Sequence, residues 1–138
     1  MTEGLISRIY YGFNQQTLFI RVDPKNSFAA FPTDALLTIE IARPHPFRVD
    51  IPVRGAGQAQ LLRKSDAGWT GVKELPDIAI GDILECAIPF QDIKAKERDE
   101  LNVFLSLRKD GENVERCPWR GYITLTVPTA DFEAMMWY

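Results

Sequence analysis

The chain has 138 residues, of which 46% are hydrophobic and 25% charged, a balance that excludes wholesale disorder; one domain of this length removes about 70% of its unfolded surface from water. A net charge of -3 without any basic run argues against attraction to phosphate backbones, so nucleic acid is not an expected partner. No apolar run approaches a membrane span, no basic region precedes an apolar core at the amino terminus, and neither Cys86 nor Cys117 belongs to a CxxC pair; a membrane partner, a secretory signal, a zinc site and a redox motif are therefore not expected either, and the expected compartment is the cytoplasm with both thiols reduced.

Apolar residues alternate with period two from end to end, and turn residues recur roughly every ten positions, which predicts an all-β fold: a single antiparallel β-sandwich of about nine strands over residues 1–138, with at most short helical turns. In the first segment Leu5, Ser7, Ile9, Tyr11 and Phe13 share a face, and after Asn14-Gln15-Gln16-Thr17 the residues Leu18, Ile20 and Val22 resume the alternation. Matching the apolar faces of a hairpin sets Phe13 opposite Leu18, Tyr11 opposite Ile20 and Ile9 opposite Val22, since a one-residue slip would turn each set to the wrong side. On the other face the same register sets Gly12 opposite Phe19, Tyr10 opposite Arg21 and Arg8 opposite Asp23, an aromatic-covered glycine and an opposite-charge pair.

Further strands are predicted at Leu36 to Ala42, Phe47 to Val53, Gln58 to Lys64, Asp82 to Phe90, Leu101 to Arg108, Asn113 to Cys117 and Tyr122 to Val127. Between them lie Pro44 and Pro46, Gly55 and Gly57, Asp66-Ala67-Gly68, Gly81-Asp82 and Lys109-Asp110-Gly111. Asp110-Gly111 is the strongest hairpin signal, because glycine adopts positive φ without a Cβ clash. Gln91 to Asp99 and Thr129 to Met136 are the segments open to a helical turn. In the most apolar strand Cys86 alternates inward beside Leu84 and Ile88, which points Glu85 to the opposite face.

His45 is the single histidine, between Pro44 and Pro46 in a hairpin loop, and this removes most acid-base and nucleophilic machinery. Glu40, Asp50, Glu85 and Glu115 all fall on strands, where they read as solvated residues or as partners of Arg48, Arg108 and Arg116; Glu85, Glu115 and Arg116 are candidates for structural ion pairs, and a covered Glu85 needs an arginine. No catalytic residue, metal site or cofactor is expected from this inventory. The aromatic residues carry more. Trp69 follows the Asp66-Ala67-Gly68 turn, Trp119 follows Pro118, and Tyr10 faces Arg21, so Trp69, Trp119, Tyr10 and Arg21 are candidates for carbohydrate contact, an indole or phenol ring stacking on the C-H face of a sugar with polar groups beside it. Burial in the core is the competing reading for both tryptophans.

The order LISRIYYGF and TLFIRVD, then DILECAIPF, LNVFLSLRKDGENVERCP, YITLTVP and a terminal DFEAMMWY containing Trp137, resembles the carboxy-terminal β-sandwich domain that follows the catalytic barrel in glycoside hydrolase family 57 enzymes. Family 9 carbohydrate-binding modules and DOMON-type domains share the strand pattern. The first resemblance implies a non-catalytic accessory domain of an α-glucan-active hydrolase, with α-glucan or the catalytic domain as partner; the catalytic carboxylates of that family lie in the barrel, and nothing here matches them. The alternative is a free-standing carbohydrate-binding module using exposed tryptophans. A DOMON likeness would imply haem between a histidine and a methionine, here His45 with Met135 or Met136, and ranks third.

Overall fold

The computed structural model describes residues 4–54 and 57–129, and the backbone of Met136–Trp137. The described residues form twelve strands in chain order: β1 Ile6–Phe13, β2 Thr17–Pro24, β3 Leu36–Arg43, β4 Phe47–Pro52, β5 Ala59–Ser65, β6 Gly68–Leu75, β7 Ile78–Ile80, β8 Leu84–Pro89, β9 Glu100–Lys109, β10 Glu112–Cys117, β11 Ile123–Thr126 and β12 Met136–Trp137. They build two antiparallel sheets, a five-stranded one in the order β12-β1-β2-β8-β7 and a seven-stranded one in the order β10-β9-β3-β4-β5-β6, with β11 also on β9. This is the all-β sandwich that the alternation predicts.

The first hairpin has the expected register throughout: Phe13 faces Leu18, Tyr11 faces Ile20 and Ile9 faces Val22, with Gly12, Tyr10 and Arg8 opposite Phe19, Arg21 and Asp23. Near its start the alternation departs from expectation. A bulge between Ile6 and Arg8 admits one extra residue, so Ile6 is buried and Ser7, expected on the core face, is exposed. Asp23 also pairs differently from the cross-strand expectation, since Arg21 holds it along the strand while Arg8 reaches the Tyr10 hydroxyl. At the other strong signal, Asp110 (φ 52) and Gly111 (φ 79) form the two-residue turn from β9 into β10, both in the left-handed region that a type I′ turn needs.

Three strands lie beyond the sequence reading. β6 is an edge strand whose residues from Thr70 to Glu74 are all exposed, so no apolar alternation marks it. β7 and β12 are only three and two residues long. Two single turns of 3-10 helix complete the described elements, Phe28–Ala30, which was not anticipated, and Phe90–Ile93, at the start of the segment open to a helical turn. Of Thr129 to Met136, the part from 130 to 135 lies outside the described residues, and Met136 pairs in β12 with Phe13.

One core lies between the sheets. Leu18, Ile20, Val22, Leu84 and Ile88 point in from the smaller sheet to meet Leu37, Ile39, Ile41, Val49, Leu61, Val103, Leu105 and Leu107 from the larger. Phe28 and Phe31, with ring centroids 5.1 Å apart, close one part of its rim. Cys86 takes its expected inward place and Glu85 is exposed; both cysteines are free.

Burial of ionisable core groups makes stability pH-dependent. Burial, reinforced by the Asp77 carboxylate, pushes the Cys86 thiol from its ordinary 9.0 up to about 12. Burial also raises the Tyr11 hydroxyl, with Cys117 adding to it. For an acid whose folded pKa is raised, the stabilisation is complete below the unfolded value and is lost as pH climbs through the folded one. The urea midpoint is therefore expected to hold up to about pH 9 and to fall between there and about pH 12, more shallowly in Cys86→Ala. A midpoint unaffected by alkali, or an unchanged slope in the variant, would refute this account.

Candidate functional site

The site begins with a mismatch along one edge of β9. β10 pairs there as far as Cys117 opposite Leu105, and β11 resumes with Ile123 opposite Val103, so Phe104 alone on β9 is spanned by the whole segment from Pro118 to Tyr122. A chain with too many residues for its register must leave the sheet, and this one forms an outward loop turned by Gly121 at φ 68. Arg116 fixes the loop from beneath. Its Nη1 donates to the Pro118 carbonyl at 2.7 Å and its Nη2 to the Gly121 carbonyl at 2.8 Å. The guanidinium lies 4.0 Å from the centre of the Phe104 ring and 5.9 Å from that of Tyr122, and these two rings are tilted against each other at 5.7 Å.

What the loop presents is aromatic. Trp119 is 69% exposed and Tyr122 50% exposed, unusual for side chains of this size in a domain with a well-filled core. The Arg120 guanidinium sits 4.6 Å from the Trp119 ring. Trp119 borders a groove of about 830 Å³ that follows β10, past the exposed Val114 and Asn113, to Leu5 and Lys25.

Glu115 closes the floor of this groove by crossing between the sheets. Its Oε1 accepts the Leu5 N-H at 2.7 Å and its Oε2 the Ile6 N-H at 3.3 Å, which ties β10 to the beginning of β1. The carboxylate approaches so closely that a Cβ on Gly4 would overlap it. The neighbouring Cys117 thiol is raised from its usual range by burial first and by the Glu115 charge second, which keeps it protonated at neutral pH.

The sequence candidates fall on three separate surfaces. Trp119, Glu115 and Arg116 share the groove, but the last two bind backbone groups rather than opposite charges. Tyr10 and Arg21 meet on the outer face of the smaller sheet, with the guanidinium 5.0 Å from the phenol ring and bonded twice to Asp23, at 2.8 and 3.1 Å. Glu85, opposite Arg21 on β8, lines with it a groove of about 500 Å³ that Phe19 and Ile78 also border; Tyr10 is not part of that groove. Trp69 is half-buried on the outer face of the larger sheet, under the Arg48 guanidinium at 4.7 Å and the Lys64 ammonium at 6.0 Å. Arg48 in turn donates to Asp50 at 3.0 Å, and burial lifts the nearby Glu40 carboxyl above its usual range against the pull of the surrounding cations. Arg108 donates to the Gly111 carbonyl. His45 is exposed in the β3-β4 turn, Met135 lies outside the described residues, and no group of three His, Cys, Asp or Glu side chains able to hold a metal occurs among the described residues.

Phe104 and Arg120 were not singled out from the sequence. Phe104 had a signal, since it alternates outward between Val103 and Leu105 in an otherwise inward-facing apolar run. Comparison of the chain with protein-family models, with curated proteins and with solved structures gave no match.

The Glu115 crossing makes a coupled prediction. Glu115→Ala leaves two backbone N-H groups without their acceptor and is expected to cost about 1–3 kcal/mol of stability in urea titration. Gly4→Ala should cost a similar amount by displacing the same carboxylate, and the double variant little more than either alone. Strictly additive losses would show that Gly4 and Glu115 do not act together.

Proposed function

We propose that this chain is a non-catalytic accessory β-sandwich that holds α-glucan for a glycoside hydrolase, with the Trp119 groove as its sugar-contacting surface. The observation that carries the reading is the pair of exposed rings, Trp119 and Tyr122, on a loop that Arg116 ties down at two carbonyls. Stacking on a sugar needs a flat ring that is both open and already ordered, because ordering a free side chain would consume part of the binding energy. Trp119 remains largely exposed with the Arg120 guanidinium 4.6 Å from its ring, whereas Trp69 is half-buried beneath two cations. Asn113 and Lys25 supply hydroxyl-binding groups further along the groove. The α-glucan class and the hydrolase partner come from the resemblance to the carboxy-terminal domain of family 57 enzymes.

A free-standing carbohydrate-binding module would use the same surface, and the presence or absence of a hydrolase that the chain associates with separates the two. Titration of the isolated chain with maltoheptaose, followed by tryptophan fluorescence, tests the shared element. Trp119→Ala is expected to weaken binding about tenfold or more, worth about 1.4 kcal/mol for each factor of ten, with little change in melting temperature. Trp69→Ala should lower the melting temperature and leave affinity in place. Failure of the unaltered chain to bind, or full binding by Trp119→Ala, would remove the reading. The chain alone is expected to release no reducing ends from the same glucan, and turnover above a buffer blank would contradict a non-catalytic role.

A further inference from the structure

A second cavity, of about 690 Å³, opens at the end of β1 remote from the Trp119 groove. The groove touches Gly4 and Leu5 before β1, and the cavity touches Gln15 and Gln16 after it, a separation of about 25 Å at the rise of an extended strand. Three stretches converge on it: the β1-β2 turn, the β3-β4 turn carrying His45, and the segment from Gln91 to Glu97. Its volume lies within the usual range for small-molecule sites, about 300–1,000 Å³, and is more than a bare inorganic anion fills.

The walls are tied in place by backbone bonds. The Asn14 side chain accepts from the Gln16 and Thr17 N-H groups at 2.9 and 2.8 Å, and the Phe90 N-H donates to the Gln16 carbonyl at 2.9 Å. On the far side the Lys96 N-H donates to Asp99 at 2.8 Å and the Arg98 N-H to the Val127 carbonyl at 2.9 Å. Within this fixed frame Lys94 (φ 55) and Arg98 (φ 69) are held in the left-handed region, where a Cβ is disfavoured. Lys94 ends the 3-10 turn Phe90–Ile93, a position at which glycine is the residue without strain. A strained lysine facing a cavity points to a requirement for its side chain rather than for its backbone.

The chemistry is cationic and amide-rich over an apolar base. Lys94 and Lys96 line the cavity together with one carboxylate, Glu97, while the Asp99 carboxylate behind them accepts the Lys96 N-H, and the only histidine of the sequence also lines it. Gln16 and Gln91 offer amide donors and acceptors, and the half-buried Pro89 and Ala95 supply the apolar base, backed by the core residue Phe90. Ammonium groups suit a phosphate, amides suit hydroxyls, and an apolar base suits the C-H face of a pyranose. We propose that this cavity binds a phosphorylated monosaccharide, with Lys94 and Lys96 on the phosphate and the glutamines on the ring hydroxyls, independently of the Trp119 groove.

Calorimetric titration of the whole chain with glucose 6-phosphate, glucose and inorganic phosphate tests this. Glucose 6-phosphate should bind more tightly than either of the others. Lys94→Gly should melt at the same or a higher temperature, since glycine relieves the left-handed strain, yet bind glucose 6-phosphate about tenfold more weakly. Trp119→Ala should leave this affinity unaltered, so that failure of the glucan reading and failure of this one can be told apart. The proposal is overturned if glucose 6-phosphate gives no heat at millimolar concentration or if Lys94→Gly binds as well as the unaltered chain. It is equally overturned if inorganic phosphate binds as tightly as the sugar phosphate, which would leave the glutamines and the apolar base no role.

Discussion

The larger sheet depends on β9. It is the longest of the described strands, it pairs with β3 from Asn102 to Arg108 on one side, and its other edge is shared end to end by β10 and β11. Two strands can share one edge only if the chain departs between them. The register leaves a single β9 residue, Phe104, for the entire stretch from Pro118 to Tyr122, so the surplus is forced outward as a loop. The exposed tryptophan is thus a consequence of strand accounting within the sheet. Arg116 then converts a forced excursion into an ordered one by bonding both sides of the loop and lying on the ring it leaves uncovered.

The same β10 that releases the loop also joins the sheets. Glu115 accepts the backbone N-H groups of Leu5 and Ile6 where the chain enters β1, and glycine at position 4 makes room for it. The sandwich is therefore held at this margin by a polar crossing as well as by the apolar core, and the groove floor is a structural element. A surface that is to contact a ligand needs support from ordered side chains, and Arg116 gives the Trp119 loop that support while Glu115 fixes the edge of the groove at Leu5 and Ile6.

The two proposed sites sit at opposite ends of β1 and differ in character. The groove is bordered by one open aromatic ring, Trp119, with Asn113 and Lys25 further along it, suited to a neutral glycan. The cavity beside His45 is bounded by two lysines on a strained and tightly bonded segment, suited to a compact anion with hydroxyls.

Much of the fold was legible in the residues themselves. Period-two alternation determined the fold class, the inward set of Leu84, Cys86 and Ile88, and the register of the first hairpin, because facing in a half-buried strand is a local property that each residue states independently. Asp110-Gly111 determined its turn for the same reason. Tertiary structure decided the rest. β6 bears no alternation because it is an exposed edge, and the bulge that exchanges Ser7 for Ile6 depends on how β1 meets β2. That Trp69 is half-buried under Arg48 while Trp119 is largely exposed follows from strand order and from the β9 register, relations between residues far apart in the chain that neither tryptophan's neighbours encode. The partners of Glu115 and Arg116 belong to the same category, since a charged side chain declares that it needs a partner but its own sequence neighbourhood does not specify which one.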